Sequence, residues 1–141
     1  MLGDNQVKIQ IEATKEERKQ LIKSQQGELD AVILYRKLSE ITKKVENKKT
    51  FLKIAADEGK HAVILKKYTG ENLKAKNLKA IIINILYKVC GAKFTLKMIG
   101  KGEFKAAKDY LTLTEKFPNI KEIIRDENLH GELMTKMHVS I

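Results

Sequence analysis

The chain has little of what builds stapled, sheet-rich or base-reading folds. Of its 141 residues one is cysteine, one is proline, eight are glycine and none is tryptophan. The single Cys90 can form neither an internal disulfide nor a four-cysteine metal knuckle, and it fits a reducing, cytosolic setting. A lone thiol of this kind is expected as a small buried apolar side chain rather than a nucleophile. So little proline and glycine argues against a turn-rich β fold. Arginine is almost absent: Arg18, Arg36 and Arg125 stand beside the lysines that carry the net charge of +10, and aromatics are only 6%. Bidentate phosphate and base contacts favour arginine, and stacking on bases needs aromatics. The charge therefore reads as solvated surface and not as a nucleic-acid site. An anionic membrane face or an acidic partner stays open as a docking target. Residues 1–7 lack an apolar signal core, in keeping with the cytosolic expectation.

What is present is helical pattern. Hydrophobic residues make up 43% and charged residues 33%, ordinary for a water-soluble helical domain with a real core. Residues 15–45 form a first periodic run, with Leu21, Glu28, Ala31, Tyr35, Leu38 and Thr42 on one stripe. The polar residues 47–49 are expected to break it. A second helix is expected over 50–69, with Ile54, Glu58, His61, Leu65 and Tyr68 on one face and Gly70 as its stop. Residues 71–77 read as an exposed connection. The apolar stretch 78–89 is too short and too lysine-flanked to span a membrane, and Gly91 bends or ends it. A third long helix is expected over 92–116, with Leu96, Ile99, Glu103, Ala106, Tyr110 and Leu113 inward. Pro118 marks the break before a fourth over 119–137, with Ile120, Ile123, Glu127, His130 and Met134 inward. The fold class is therefore all-α: a four-helix bundle of two hairpins with one long crossover that contains a short apolar helix. Residues 1–14 form an arm, and 15–141 form the bundle domain.

Two segments repeat one pattern. Gly27-Glu28-x-x-Ala31-x-x-x-Tyr35 recurs as Gly102-Glu103-x-x-Ala106-x-x-x-Tyr110, and Asp57-Glu58-x-x-His61 recurs as Asp126-Glu127-x-x-His130. Glu and His three residues apart share a helix face and reach one point. An isolated E-x-x-H is usually a surface pair. Here, however, every glutamate sits on an apolar stripe, where an unpaired charge is costly, and both halves share flanking residues. The candidate metal ligands are Glu28, Glu58, His61, Glu103, Glu127 and His130. Four carboxylates offset two divalent cations; without cations they would repel and could not all stay ionised. Oxygen and nitrogen donors suit iron or manganese, and zinc would also bind. Tyr35 and Tyr110 lie two turns beyond their glutamates, placed to donate phenolic hydrogen bonds to the carboxylates or to supply an electron. Asp57 and Asp126 are candidates for orienting an imidazole. Ala31 and Ala106 leave room beside the site, and His138 is expected at the surface.

The two paired motifs resemble the di-iron domain of rubrerythrin-like proteins, within the ferritin-like superfamily, over about residues 19–137. The resemblance implies that the family's ligands fall on the same four glutamates and two histidines. Two departures stand out. One cysteine cannot make the rubredoxin-like iron site of typical rubrerythrins. Their extra glutamate one turn after the third-helix ligand is replaced by Ala106. Both argue against a standard NADH-linked peroxide reductase cycle and imply an external electron donor. The crossover and the Gly91-Ala92-Lys93-Phe94 segment are also similar to rubrerythrin-like domains attached to membrane iron and manganese transporters. Quinone-modifying di-iron hydroxylases share the ligand pattern.

Three functions follow as expectations. The first is a di-iron oxidoreductase in which peroxide or dioxygen oxidises a bound di-ferrous centre, of peroxidase or ferroxidase type. The second is an iron sensor or delivery module for a membrane transporter. The third is a metal-free helical interaction protein. The apolar residues 80–86 exceed what one helix usually hides, which predicts a homodimer interface, with domain exchange across the crossover as one form of it.

Overall fold

The computed structural model describes residues 12–137. Five α-helices and one 3-10 turn make up the regular structure of this part: α1 (Lys15–Ile41), α2 (Val45–Thr69), α3 (Leu78–Cys90), α4 (Ala92–Tyr110), the 3-10 turn Leu111–Leu113, and α5 (Ile120–Lys136). No strand occurs among the described residues. Most of the proposed arm, 1–11, and His138 lie outside the described residues.

The helix ends follow local chemistry. α1 opens on a capping box, in which the Thr14 hydroxyl accepts from the Glu17 N–H and the Glu17 carboxylate accepts from the Thr14 N–H. Lys116 adds an ion pair to Glu17 at 2.7 Å and ties this end to the turn before α5. α2 stops at Gly70, whose left-handed φ of 68° suits a residue without Cβ and lets its N–H bond the Lys66 carbonyl. Gly91, at φ 87°, redirects the chain between α3 and α4.

Two boundaries differ from the sequence expectation. The first hairpin turns at residues 42–44, not at 47–49. Asn47 is buried in the first turn of α2, and Thr42 leaves the helix with extended ψ of 149°. The earlier reversal gives α1 27 and α2 25 residues, about 40 and 38 Å, so the antiparallel pair match in length. The third long helix ends at Tyr110 rather than near 116. Beyond it the chain tightens into the 3-10 turn, where the Thr114 hydroxyl bonds the Leu111 carbonyl.

α1 pairs with α2, and α4 with α5. The first pairing is antiparallel: Arg18, near the start of α1, donates to the Thr69 carbonyl at the end of α2. α4 and α5 approach closely through Gly100 and Gly131; a Cβ on Gly100 would stand 3.1 Å from the Gly131 carbonyl. α3 packs on α1 through buried Ala80 and Ile83. The apolar core falls into two clusters. One holds Leu34, Tyr35, Leu38, Phe51, Ile54, Leu96 and Met134 with the inner face of α3, and the other Leu21, Leu65, Tyr110, Leu113, Phe117, Ile120 and Ile123. Tyr35 belongs to the first and Tyr110 to the second, and both reach into the polar layer between them. No described helix is long and apolar enough to cross a membrane. Cys90 departs from expectation: it is exposed at the end of α3.

Candidate metal centre

The helix stripes carry six polar side chains inward with the apolar ones. Glu28 comes from α1, Glu58 and His61 from α2, Glu103 from α4, and Glu127 and His130 from α5; none is more than 7% exposed. They fall into two overlapping quartets, Glu28–Glu58–His61–Glu127 and Glu58–Glu103–Glu127–His130. In each, one donor atom from every residue lies within 4.8 Å of the others. Glu58 and Glu127 are common to both quartets, while Glu28 with His61 and Glu103 with His130 belong to one each. Such a set would hold two cations, with Glu58 and Glu127 within reach of both.

The imidazoles are held from behind. His61 Nε2 lies 2.8 Å from Asp126 Oδ2, and His130 Nε2 lies 2.9 Å from Asp57 Oδ2. An ionised carboxylate only accepts, so Nε2 is the donor in each pair. In a neutral ring, Nδ1 then presents a lone pair to the glutamates. His61 Nδ1 stands 3.1 Å from Glu127 Oε1, 3.2 Å from Glu58 Oε1 and 3.3 Å from Glu28 Oε2. His130 Nδ1 is 3.3 Å from Glu58 Oε1 and 3.6 Å from Glu103 Oε2. The tyrosines also act across the bundle. Tyr35 Oη donates to Glu103 Oε1 at 2.6 Å, and Tyr110 Oη donates to Glu28 Oε1 at 2.9 Å. Each half thus supports the other: Asp57 and Asp126 hold the histidine of the opposite repeat, and each tyrosine holds the opposite glutamate. The spacing within one helix could not show this exchange.

Sequence reasoning missed Lys53. It pairs with Asp57 one turn along α2 and, with His130, stabilises that carboxylate. The signal was available as an i, i+4 Lys–Asp pair. In the second half Glu122 occupies the matching position before Asp126, and the cation beside Asp126 is instead Arg125, 3.9 Å away.

The electrostatics show what the cluster requires. Burial, then repulsion from Glu58 and Glu127, drives the Glu28 carboxyl well above its ordinary range, against the opposing pull of His61. Burial also raises Glu103 to about 7, with repulsion from Glu127 added and His130 opposing. Both imidazoles resist burial, yet the facing carboxylates raise them strongly, His130 to about 12. Asp57 ends below its ordinary value although burial opposes it, because Lys53 and His130 bond it. Burial, and then the adjacent carboxylates, push Tyr35 and Tyr110 upward, so both remain phenols and hydrogen-bond donors.

The residues fit a pair of divalent cations. Glu58 Oε1, Glu103 Oε2, Glu127 Oε1 and His130 Nδ1 are buried without a hydrogen bond, and all four belong to residues of the two quartets. Buried polar atoms are rarely left so. Protons relieve the repulsion in the metal-free cluster; two divalent cations would do so with all six side chains deprotonated.

A cleft of about 830 Å³ opens onto this layer between α1 and α4. Glu28, Glu58, Glu103 and Glu127 form part of its wall with Ala31 and Ala106, while Lys23, Lys105 and Lys108 also line it. Gln20 bonds the Asp109 carbonyl across one end, and Lys79 and Ile83 of α3 line the cleft as well.

Comparison with curated proteins returns no match, and neither does comparison with solved structures. A family model described as rubrerythrin matches residues 19–138, the span that contains both repeats and the whole buried cluster. On that match, and with a ferritin-like helical bundle around a buried cluster able to hold metal, the chain belongs to the rubrerythrin family.

Proposed function

We propose that the protein is a rubrerythrin-type di-iron oxidoreductase of peroxidase or ferroxidase type, with Glu28, Glu58, His61, Glu103, Glu127 and His130 as its ligands. The observation that carries this reading is the convergence of four buried glutamates and two buried histidines in two quartets that share Glu58 and Glu127. An iron pair held there would supply two electrons to peroxide or dioxygen. The chain's own residues do the rest. Asp57 and Asp126 fix the imidazole tautomer and raise its basicity. Tyr35 and Tyr110 hold the terminal glutamates by one oxygen each, leaving the other oxygen for metal. The apolar clusters above and below confine the polar layer, and Ala31 and Ala106 leave the cleft open to a small oxidant. One cysteine cannot build a second iron site within these residues, so reducing equivalents would reach the centre from outside them.

Stopped-flow absorbance tests the reading. Ferrous iron is loaded without air and mixed with peroxide or with dioxygen. Rapid growth of near-ultraviolet ferric absorbance, renewed after chemical re-reduction, is the expected result. Iron that binds and leaves reversibly with no such growth would instead support a sensor or delivery module for a membrane transporter. Manganese or zinc held in preference to iron would contradict the di-iron assignment.

A further inference from the structure

We propose that α3 is an interfacial anchor whose outer face lies on a membrane rich in anionic lipid. Ala80 and Ile83 bury the inner face of this helix. The opposite face carries Leu78, Ile81, Ile82, Ile85 and Val89, which are between 47% and 76% exposed. At about 100° per residue these five fall within an arc of about 100°, so they form one continuous aliphatic stripe. Exposed Lys79 and Lys88 flank it on either side, and exposed Lys93 and Phe94 follow in the first turn of α4. Residues 73–102 hold seven lysines and no aspartate or glutamate, although the chain has 18 acidic residues elsewhere.

Each feature narrows the occupant. A stripe of five large aliphatic side chains in water marks a surface that something covers. α3 has 13 residues, about 20 Å, and is too short to span a bilayer, so it lies along the surface instead. A second copy fits poorly. Twofold pairing of the same stripe would offer Lys79 and Lys88 no acidic partner from this segment. Anionic headgroups meet the lysines while the acyl boundary takes the stripe, as in helices that lie in the membrane plane. Lys79 and Ile83 also line the cleft, so docking would set the cleft beside the bilayer. None of this depends on the metal chemistry, and its test is separate.

The intact chain is sedimented with vesicles of phosphatidylcholine alone or mixed with phosphatidylglycerol. The chain is expected to pellet with the mixed vesicles, to stay in solution with phosphatidylcholine alone, and to be released as salt rises. One basic side chain near an anionic surface is worth about fivefold, so Lys79→Ala with Lys88→Ala weakens partitioning about 25-fold. Ile81→Glu with Ile85→Glu abolishes it. Thermal melts of both pairs check that the bundle is intact. Because the chain has no tryptophan, Ile82→Trp supplies a single reporter in an otherwise unchanged protein, and its emission should shift to the blue on anionic vesicles. Absence of pelleting and of the blue shift overturns the inference, as does pelleting that survives Ile81→Glu with Ile85→Glu. A dimer in sedimentation equilibrium that this pair dissolves would assign the stripe to a second copy and overturn it too.

Discussion

The pairing of Asp57 with His130 is a small contact with a large consequence, because it decides which imidazole nitrogen faces the glutamates. Asp57→Asn removes the charge behind the ring, and affinity for the metal on the His130 side should fall by about 10- to 100-fold, measured by competition with a chelator. Asp126→Asn should do the same on the His61 side. Tyr35→Phe removes the bond to Glu103 but no metal ligand. It should leave metal content unchanged and cost about 1.5–3 kcal/mol in denaturant unfolding of the metal-loaded protein, the usual range for a hydrogen bond to a charged group. A loss of metal would instead show that the phenol belongs to the ligand set. The six ligand candidates could be read from sequence because each sits on an apolar stripe at helical spacing, where a bare charge needs a reason. The partners of Asp57, Asp126, Tyr35 and Tyr110 could not be read there. They cross from one hairpin to the other, and only the docked bundle sets that register.

At the scale of the elements, α4 and α5 depend on two glycines at their contact. A Cβ on Gly100 would meet the Gly131 carbonyl at 3.1 Å and Met134 at 3.2 Å, so Gly100→Ala should destabilise by about 1–3 kcal/mol. Gly102 meets nothing within 4 Å, and Gly102→Ala should stabilise by about 0.5–1 kcal/mol through helix propensity alone. Thermal or denaturant unfolding of the two variants reads the opposite signs. Helix faces and the Gly70 stop were legible because period and cap chemistry are local. The turn at residues 42–44 was not. The polar residues 47–49 resemble a break, yet Asn47 is buried in the opening turn of α2 because the hairpin reverses before it. The 3-10 turn after Tyr110 was hidden for a related reason, since Leu113 continues the inward stripe while the backbone has already tightened. The exposure of Cys90 carried no sequence signal, being decided by where α3 ends against α1 and α4.

At the scale of the whole molecule, the bundle is two hairpins closed over a charged layer, so its stability is tied to what neutralises that layer. In the metal-free protein Glu28 and Glu103 hold protons more tightly folded than unfolded. Their stabilising contribution is present at low pH and is lost as pH rises from 4.5 through about 7. His61 and His130 are raised as well. Their contribution is complete below 6.5 and is lost as pH rises towards about 12 for His130. Both effects have one sign, so the thermal midpoint of metal-free protein should fall with rising pH above 4.5. Metal binding requires the same groups deprotonated, so the midpoint gap between loaded and metal-free protein should widen over that range. A gap that narrows would mean that the metal is held elsewhere. The central claim, that four glutamates and two histidines converge to hold two cations, is tested most directly by metal content after anaerobic loading with ferrous iron and removal of excess. The account predicts two irons per chain in the parent and none in Glu58→Ala combined with Glu127→Ala. A parent that retains no iron, or a double variant that retains as much as the parent, would contradict it.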